Sequence, residues 1–170
     1  MSVDKDKLKN LGIMSAENLE KGQNLNKDFV KIKTKNANFK ALKDEFDEKF
    51  TNAIKELEFV NDETNIKARI GRTGIKEIIS NVEKSVKNGF TFNHHFAVAL
   101  DLPNIFKKAK YQGKFKDDKY GDPNVSIHRF KNNVLINDKI KATAFLLLKE
   151  WQQNGKKIYS LKLDKLEKRD

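Results

Sequence analysis

The sequence predicts an α+β fold: an N-terminal helical segment, then a strand, two helices and an antiparallel β-meander. Three observations carry this. Apolar residues recur at helical spacing between residues 38 and 59, and again between 74 and 82. Three stretches with strand character follow between residues 125 and 163. Asn137-Asp138 and Gln153-Asn154-Gly155 separate those stretches at hairpin spacing. A twisted antiparallel sheet with helices on one face is the expected closure, because each apolar face needs a partner to bury it.

Taken in order, residues 1 to about 35 are polar and weakly patterned, with Gly12 and Gly22 interrupting any long helix. A short helix is expected at Ser15 to Lys21, capped by Ser15. The stripe Phe39, Leu42, Phe46, Phe50, Ala53, Ile54 and Leu57 then marks an amphipathic helix from Asn38 to Phe59. The polar run Asn61 to Asn65 is the expected boundary between an N-terminal helical extension, 1–60, and an α+β domain, 61–170. Ile66 to Ile70 alternates like a short strand. Thr73 is expected to cap a helix from Gly74, with Ile75, Ile78, Ile79 and Val82 on one face, closed by Asn88-Gly89. Asn93 is expected to cap a second helix through Leu100, restarted by Pro103 as Asn104 to Lys110. Tyr111 to Pro123 reads as a polar loop. The strands expected beyond it are Val125 to Ile136, Ile140 to Lys149 and Lys156 to Leu163.

Composition narrows the chemistry. The chain has 170 residues, a formal net charge of +11 and no cysteine, so disulfides and thiolate metal sites are excluded. The positive balance favours a polyanionic partner, RNA or another nucleic acid. A bias towards Lys and Asn of the kind an AT-rich genome imposes competes with that reading. The N-terminus lacks the apolar core of a signal peptide, and no stretch approaches the roughly 20 apolar residues that span a bilayer. A cytoplasmic bacterial location is expected, or delivery into a target cell by a phage or secretion system, with no membrane contact. The 38–59 stripe needs a partner, which is either its own domain, another protein or a second copy.

Several residues can carry chemistry. His94 and His95 are adjacent and point about 100° apart on a helix, so one can face a cleft while the other does not. A histidine near its unperturbed pKa suits proton abstraction from a ribose 2′-hydroxyl. In SIHRF, Ser126, His128 and Phe130 share one strand face and Ile127 and Arg129 the other. Arg is scarce in this Lys-rich chain, so Arg129 and Arg72 are candidates for a planar anion contact. Arg72 and Thr73 precede a helix N-terminus that can cradle a phosphate, although a capped strand-to-helix turn explains them equally. Lys84 and Ser85 bind a phosphate or are merely solvated. Lys149, Tyr159 and Ser160 fall on the last two strands, and alternation puts Tyr159 opposite Ser160. Asp117, Asp118 and Asp122 with His128 match no calcium loop, so no metal or cofactor is expected. Phosphate-loop, dinucleotide and Gly-x-Ser-x-Gly fingerprints are absent.

From about Ile66 to Leu163 the chain resembles domains of large polyvalent proteins of phages and conjugative elements. Similar domains of unknown function occur in Campylobacter- and Helicobacter-type bacteria, and they are grouped with the barnase–EndoU–colicin–RelE-like nucleases. The resemblance rests on Gly74-Ile75, Lys84-Ser85 with Asn88-Gly89-Phe90, His95-Phe96, and Asp117 and Asp122. It continues through Ser126 to Phe130, Leu148-Lys149-Glu150 and Ile158-Tyr159-Ser160. Leu147 stands where that pattern has Thr, and Leu148 where it has Val. The resemblance implies a metal-independent ribonuclease-like cleft on the sheet, in a toxin or effector of phage or mobile-element origin. In that cleft His95, Arg129, Lys149 and Tyr159 would be catalytic, and Arg72, Thr73, Lys84, Ser85 and Ser160 would bind phosphate. His95 would take the 2′-proton while Arg129, Arg72 or Lys149 stabilises the phosphate, leaving a 2′,3′-cyclic phosphate. The alternative is a module of the same fold that binds nucleic acid or protein without turnover.

Overall fold

The computed structural model describes residues 29–53, 58–116 and 124–169. The helix expected at Ser15 to Lys21 and the aspartates 117, 118 and 122 lie outside these residues. The fold is α+β, with a largely antiparallel five-stranded sheet. In chain order the elements are β1 (Val30–Ile32), α1 (Phe39–Ala53), β2 (Phe59–Val60), β3 (Lys67–Ala68), α2 (Arg72–Ser80) and α3 (Val82–Lys87). They continue with α4 (Phe92–Leu100), α5 (Leu102–Lys107), β4 (Lys110–Lys116), β5 (Ser126–Ile136), β6 (Ile140–Gln153) and β7 (Lys156–Lys168).

The meander β5-β6-β7 is the sheet's centre. Both of its turns use residues at positive φ: Asn137 (54°) with Asp138 (58°), and Asn154 (52°) with Gly155 (77°). Two consecutive left-handed residues match the right-handed twist of the flanking strands, which is why Asn, Asp and Gly occupy these sites. Two edge strands flank β5. β1 pairs in parallel with its C-terminal end, Val30 opposite Val134, and β4 pairs antiparallel with its N-terminal end, Phe115 opposite Ile127. The polar loop expected from Tyr111 is therefore a strand up to Lys116. Its lysines are tolerated because an edge strand buries little and charge protects it from further pairing.

Alternation assigns the two faces. Phe130, Val134, Ile136, Ala142, Ala144, Leu146, Leu148, Leu161, Leu163 and Leu166 are buried on one face beneath the helices. Leu42, Phe46 and Phe50 of α1 join the same core, with the Phe46 and Phe96 rings 6.0 Å apart. The apolar stripe of α1 is thus packed within the chain. Its first turn is capped by Asn38, whose Oδ1 accepts from the Ala41 amide at 2.8 Å. The strand Phe59–Val60 begins within the stretch expected to be helical.

Several local expectations change. Gly71, and not Thr73, is the N-cap of α2, and Thr73 sits inside its first turn. The helix expected to run on to Asn88 is broken at Asn81, whose side chain donates to the Leu163 carbonyl at 3.0 Å. Thr91, and not Asn93, caps α4. It exchanges side-chain hydrogen bonds with His94 in a capping box. Asn93 instead donates to the Lys35 carbonyl at 2.6 Å. Pro103 lies in the first turn of α5, which starts at Leu102. Asn61, expected in a polar break, is fully buried and donates to the carbonyls of Phe106 and Ala109 at 2.7 and 2.8 Å. Gly74 stands at a close approach, since a Cβ there would lie 3.1 Å from the Leu161 carbonyl oxygen.

Candidate functional site

The face of the sheet away from the core carries three rows of side chains, fixed by strand register. Phe115, Ile127, Lys149 and Ser160 form the first, and Gly113, Arg129, Leu147 and Lys162 the second. Lys131, Phe145 and Lys165 form the third, with Lys110 at its β4 end. Among the described residues no helix lies across this face. α2 flanks it at the β7 edge, where Arg69 bridges Ser160 and the Leu161 amide donates to the Arg69 carbonyl at 2.7 Å.

Cations and aromatic rings are interleaved here. The Arg129 guanidinium lies 4.2 Å from the centroid of the Phe115 ring, and Lys165 Nζ lies 5.3 Å from that of Phe145. Phe115 is 41% exposed, with the Arg129 guanidinium over its ring. Lys162 is held by an ion pair with Glu77 of α2. At the β7 edge a hollow of about 470 Å³ is lined by Thr73, Lys149, Trp151, Ser160 and Lys162, among others. Of the residues singled out in the sequence, Arg129, Lys149, Ser160 and Thr73 therefore meet on or beside one face. Arg72, exposed at the start of α2, lines a smaller hollow with Arg69 and Phe50.

The others lie elsewhere. His95 and Ser85 are fully buried in the helical layer, 2.7 Å apart. His95 Nε2 donates to the Ile78 carbonyl at 2.8 Å, which leaves Nδ1 to accept from the Ser85 hydroxyl. Ser85 Oγ in turn accepts from the Leu166 amide at 3.1 Å. Burial pushes the His95 pKa down to about 4, against the opposing pull of the Ile78 hydrogen bond and the Asp164 charge. Lys84 pairs with Asp164 at 2.7 Å. His94 is engaged in the α4 cap, and burial, with the charge of Lys168, lowers its pKa.

Tyr159 stands on the face opposite Lys149 and Ser160, since it pairs with Glu150. It belongs to a cluster that sequence reading passed over. His128 Nε2 lies 3.1 Å from Glu150 Oε1, and Nδ1 lies 2.8 Å from the Tyr111 hydroxyl. Lys114 Nζ approaches the same carboxylate at 3.7 Å. Burial raises the Glu150 pKa, but the hydrogen bond from His128 and the charges of Lys114, His128 and Lys157 outweigh it and hold the carboxylate below its ordinary value. Burial and the Glu150 charge raise both Tyr111 and Tyr159, so both phenols stay protonated.

Strand parity, given correct registers, was the signal that could have separated Tyr159 from Lys149. Phe115, Phe145, Lys162 and Lys165 escaped notice because each becomes part of a surface only when four strands are laid side by side. Among the described residues no cluster of three or more His, Asp or Glu is arranged to hold a metal ion. No described helix is long and apolar enough to cross a membrane.

Residues 37–159 match the family model described as large polyvalent protein-associated domain 3. No curated protein and no solved structure matches the chain. The matched segment starts inside the N-terminal part, upstream of Ile66. The chain belongs to this family.

Proposed function

We propose that this member of the large polyvalent protein-associated domain 3 family is a nucleic-acid-binding module, in a phage or mobile-element setting, that lays a single strand across its open sheet face. The observation that carries this reading is the interleaving of Arg129, Lys131, Lys149, Lys162 and Lys165 with Phe115 and Phe145 on that face. Single strands are held this way: cations follow the backbone and aromatic rings stack the bases, with little regard to sequence. The Arg129–Phe115 pair fits the role, because a guanidinium stacked on a ring keeps its edge for a phosphate. The hollow bounded by Thr73, Lys149, Trp151 and Ser160 would take a nucleotide at the β7 end of the strand's path.

Cleavage of the bound strand, which the nuclease resemblance implies, needs a general base within reach of a 2′-hydroxyl. His95 is sealed in the core with both ring nitrogens engaged. His128 lies on the other face, and Leu147 occupies the centre of the open one. Among the described residues no histidine stands on the open face, and this favours binding over turnover.

The test is fluorescence anisotropy of a labelled single-stranded RNA, with Arg129→Ala and Phe115→Ala. Each stacked base is worth about 1–3 kcal/mol, so each substitution should weaken binding roughly fivefold or more. Unchanged affinity in both variants would refute the reading.

A further inference from the structure

We infer that a groove between the β6–β7 turn and β3 seats a nucleoside phosphate, at a place separate from the open sheet face. The groove holds about 480 Å³, and its lining includes Glu58, Lys67, Arg69, Lys156, Lys157 and Tyr159. That volume lies within the range of small-molecule sites. The two places share no lining residue: the hollow on the open face takes Lys149, Trp151 and Ser160, and the groove takes Lys156, Lys157 and Tyr159, nearer the β6–β7 turn.

Tyr159 supplies an aromatic wall that is already held in place. Its cross-strand partner is Glu150. Glu150 is fixed in turn by His128 at 3.1 Å, and His128 by the Tyr111 hydroxyl at 2.8 Å. The His128 and Tyr159 rings lie 6.0 Å apart. The Tyr159 ring thus packs beside a hydrogen-bonded cluster drawn from three strands, and a ligand stacking on it loses little side-chain freedom on binding. Any nucleobase offers a π-face to such a ring.

The rest of the lining is strongly cationic. Lys67, Arg69, Lys156 and Lys157 face a single carboxylate among the named lining residues, Glu58, which lies 2.7 Å from Arg69. Inorganic phosphate would need the cations alone. An aromatic wall at one end and cations along the rest match a ligand with a base and phosphates. Two sources share this chemistry, a free nucleotide and the 5′-phosphorylated end of a strand.

The experiment uses the full chain, with ATP and inorganic triphosphate as probes in calorimetric titrations at low salt. Loss of the stacked ring should cost roughly tenfold. Tyr159→Ala is thus expected to weaken ATP while leaving triphosphate within about twofold. Lys156→Glu with Lys157→Glu, both at exposed positions, should weaken both probes, whereas Lys40→Glu with Lys43→Glu, exposed on α1, should leave both within about twofold. Tyr159→Phe keeps the ring, so it should bind ATP within about twofold of wild type. Absence of ATP binding overturns the proposal. So does equal loss of both probes in Tyr159→Ala, or an equal loss in Lys40→Glu with Lys43→Glu and in Lys156→Glu with Lys157→Glu. A 5′-phosphorylated oligonucleotide that gains affinity over its 5′-hydroxyl form through Lys156 and Lys157 assigns the strand end, and ATP binding alone assigns the free nucleotide. RNA affinity through Arg129 is read separately, so the failure of either site is distinguishable from that of the other.

Discussion

The Ser85 hydroxyl donates to His95 Nδ1 across 2.7 Å in the middle of the helical layer, and its oxygen also accepts the Leu166 amide of β7. With His95 Nε2 bonded to Ile78 of α2, one serine and one histidine tie α2, α3, α4 and the last strand together. Both residues stand out in the sequence as chemistry-bearing side chains, and both are fully buried. A buried polar pair satisfied at every atom fixes the register of the elements around it.

His95→Ala should therefore act on stability. The substitution leaves the Ser85 hydroxyl and the Ile78 carbonyl without their partner, at about 1–3 kcal/mol for each unsatisfied group. Chemical denaturation should show a loss of about 2–6 kcal/mol. RNA affinity of the folded variant should match the parent. Loss of affinity with unchanged stability would place His95 in a binding or catalytic role instead.

The same residue sets an acid limit. Its folded pKa of about 4 lies below the unfolded value near 6.5. The unfolded chain therefore takes up a proton that the folded chain refuses as the pH falls. The His95 contribution is present in full above about pH 6.5 and declines towards pH 4. Denaturation midpoints should fall across that window, and the fall should be smaller in His95→Gln. Equal pH slopes for the two proteins would contradict the assignment.

Much of the fold is legible in the sequence because turn chemistry is local. Asn137-Asp138 and Asn154-Gly155 announce their hairpins, and apolar alternation between them fixes the buried face. β1 is not legible, since three residues pair with a strand about a hundred positions away and carry no pattern of their own. β4 is hidden by its lysines, which look like a loop and serve as an edge. The site is harder to read. Arg129 and Lys149 stand out as isolated residues, but Phe115, Leu147 and Lys165 join them only through register. His95 misleads for a physical reason, because the side chain that can take a proton at a surface can also satisfy two partners in a core.

Leu147 lies between Arg129 and Lys162 at the centre of the open face. A carboxylate there would repel the backbone of a bound strand and pair with the cations meant for it. Leu147→Glu should abolish measurable RNA binding at physiological salt and leave the thermal midpoint within a few degrees. Retained affinity would mean that the strand runs elsewhere.

Binding should weaken steeply with salt. Each phosphate neutralised on a single strand contributes a slope of about −0.7 to log K against log salt. With about five cations engaged on the face, the slope should be near −3.5, and Lys149→Gln or Lys165→Gln should each reduce it by about 0.7. A slope unaffected by both substitutions would show that neither lysine meets a phosphate.

The most direct test separates the open face from the general excess of positive charge. Two variants remove the same four charges: Arg129, Lys131, Lys149 and Lys165 to Gln on the sheet, and Lys40, Lys43, Lys87 and Lys107 to Gln on the helical side, where all four are exposed. Single-stranded RNA affinity is measured for both at one fixed salt concentration. The sheet variant should lose roughly a hundredfold or more, while the helical variant stays within a fewfold of the parent. Equal losses in the two would contradict the account, because binding would then follow net charge and not the arrangement of Arg129, Lys149 and the rings beside them.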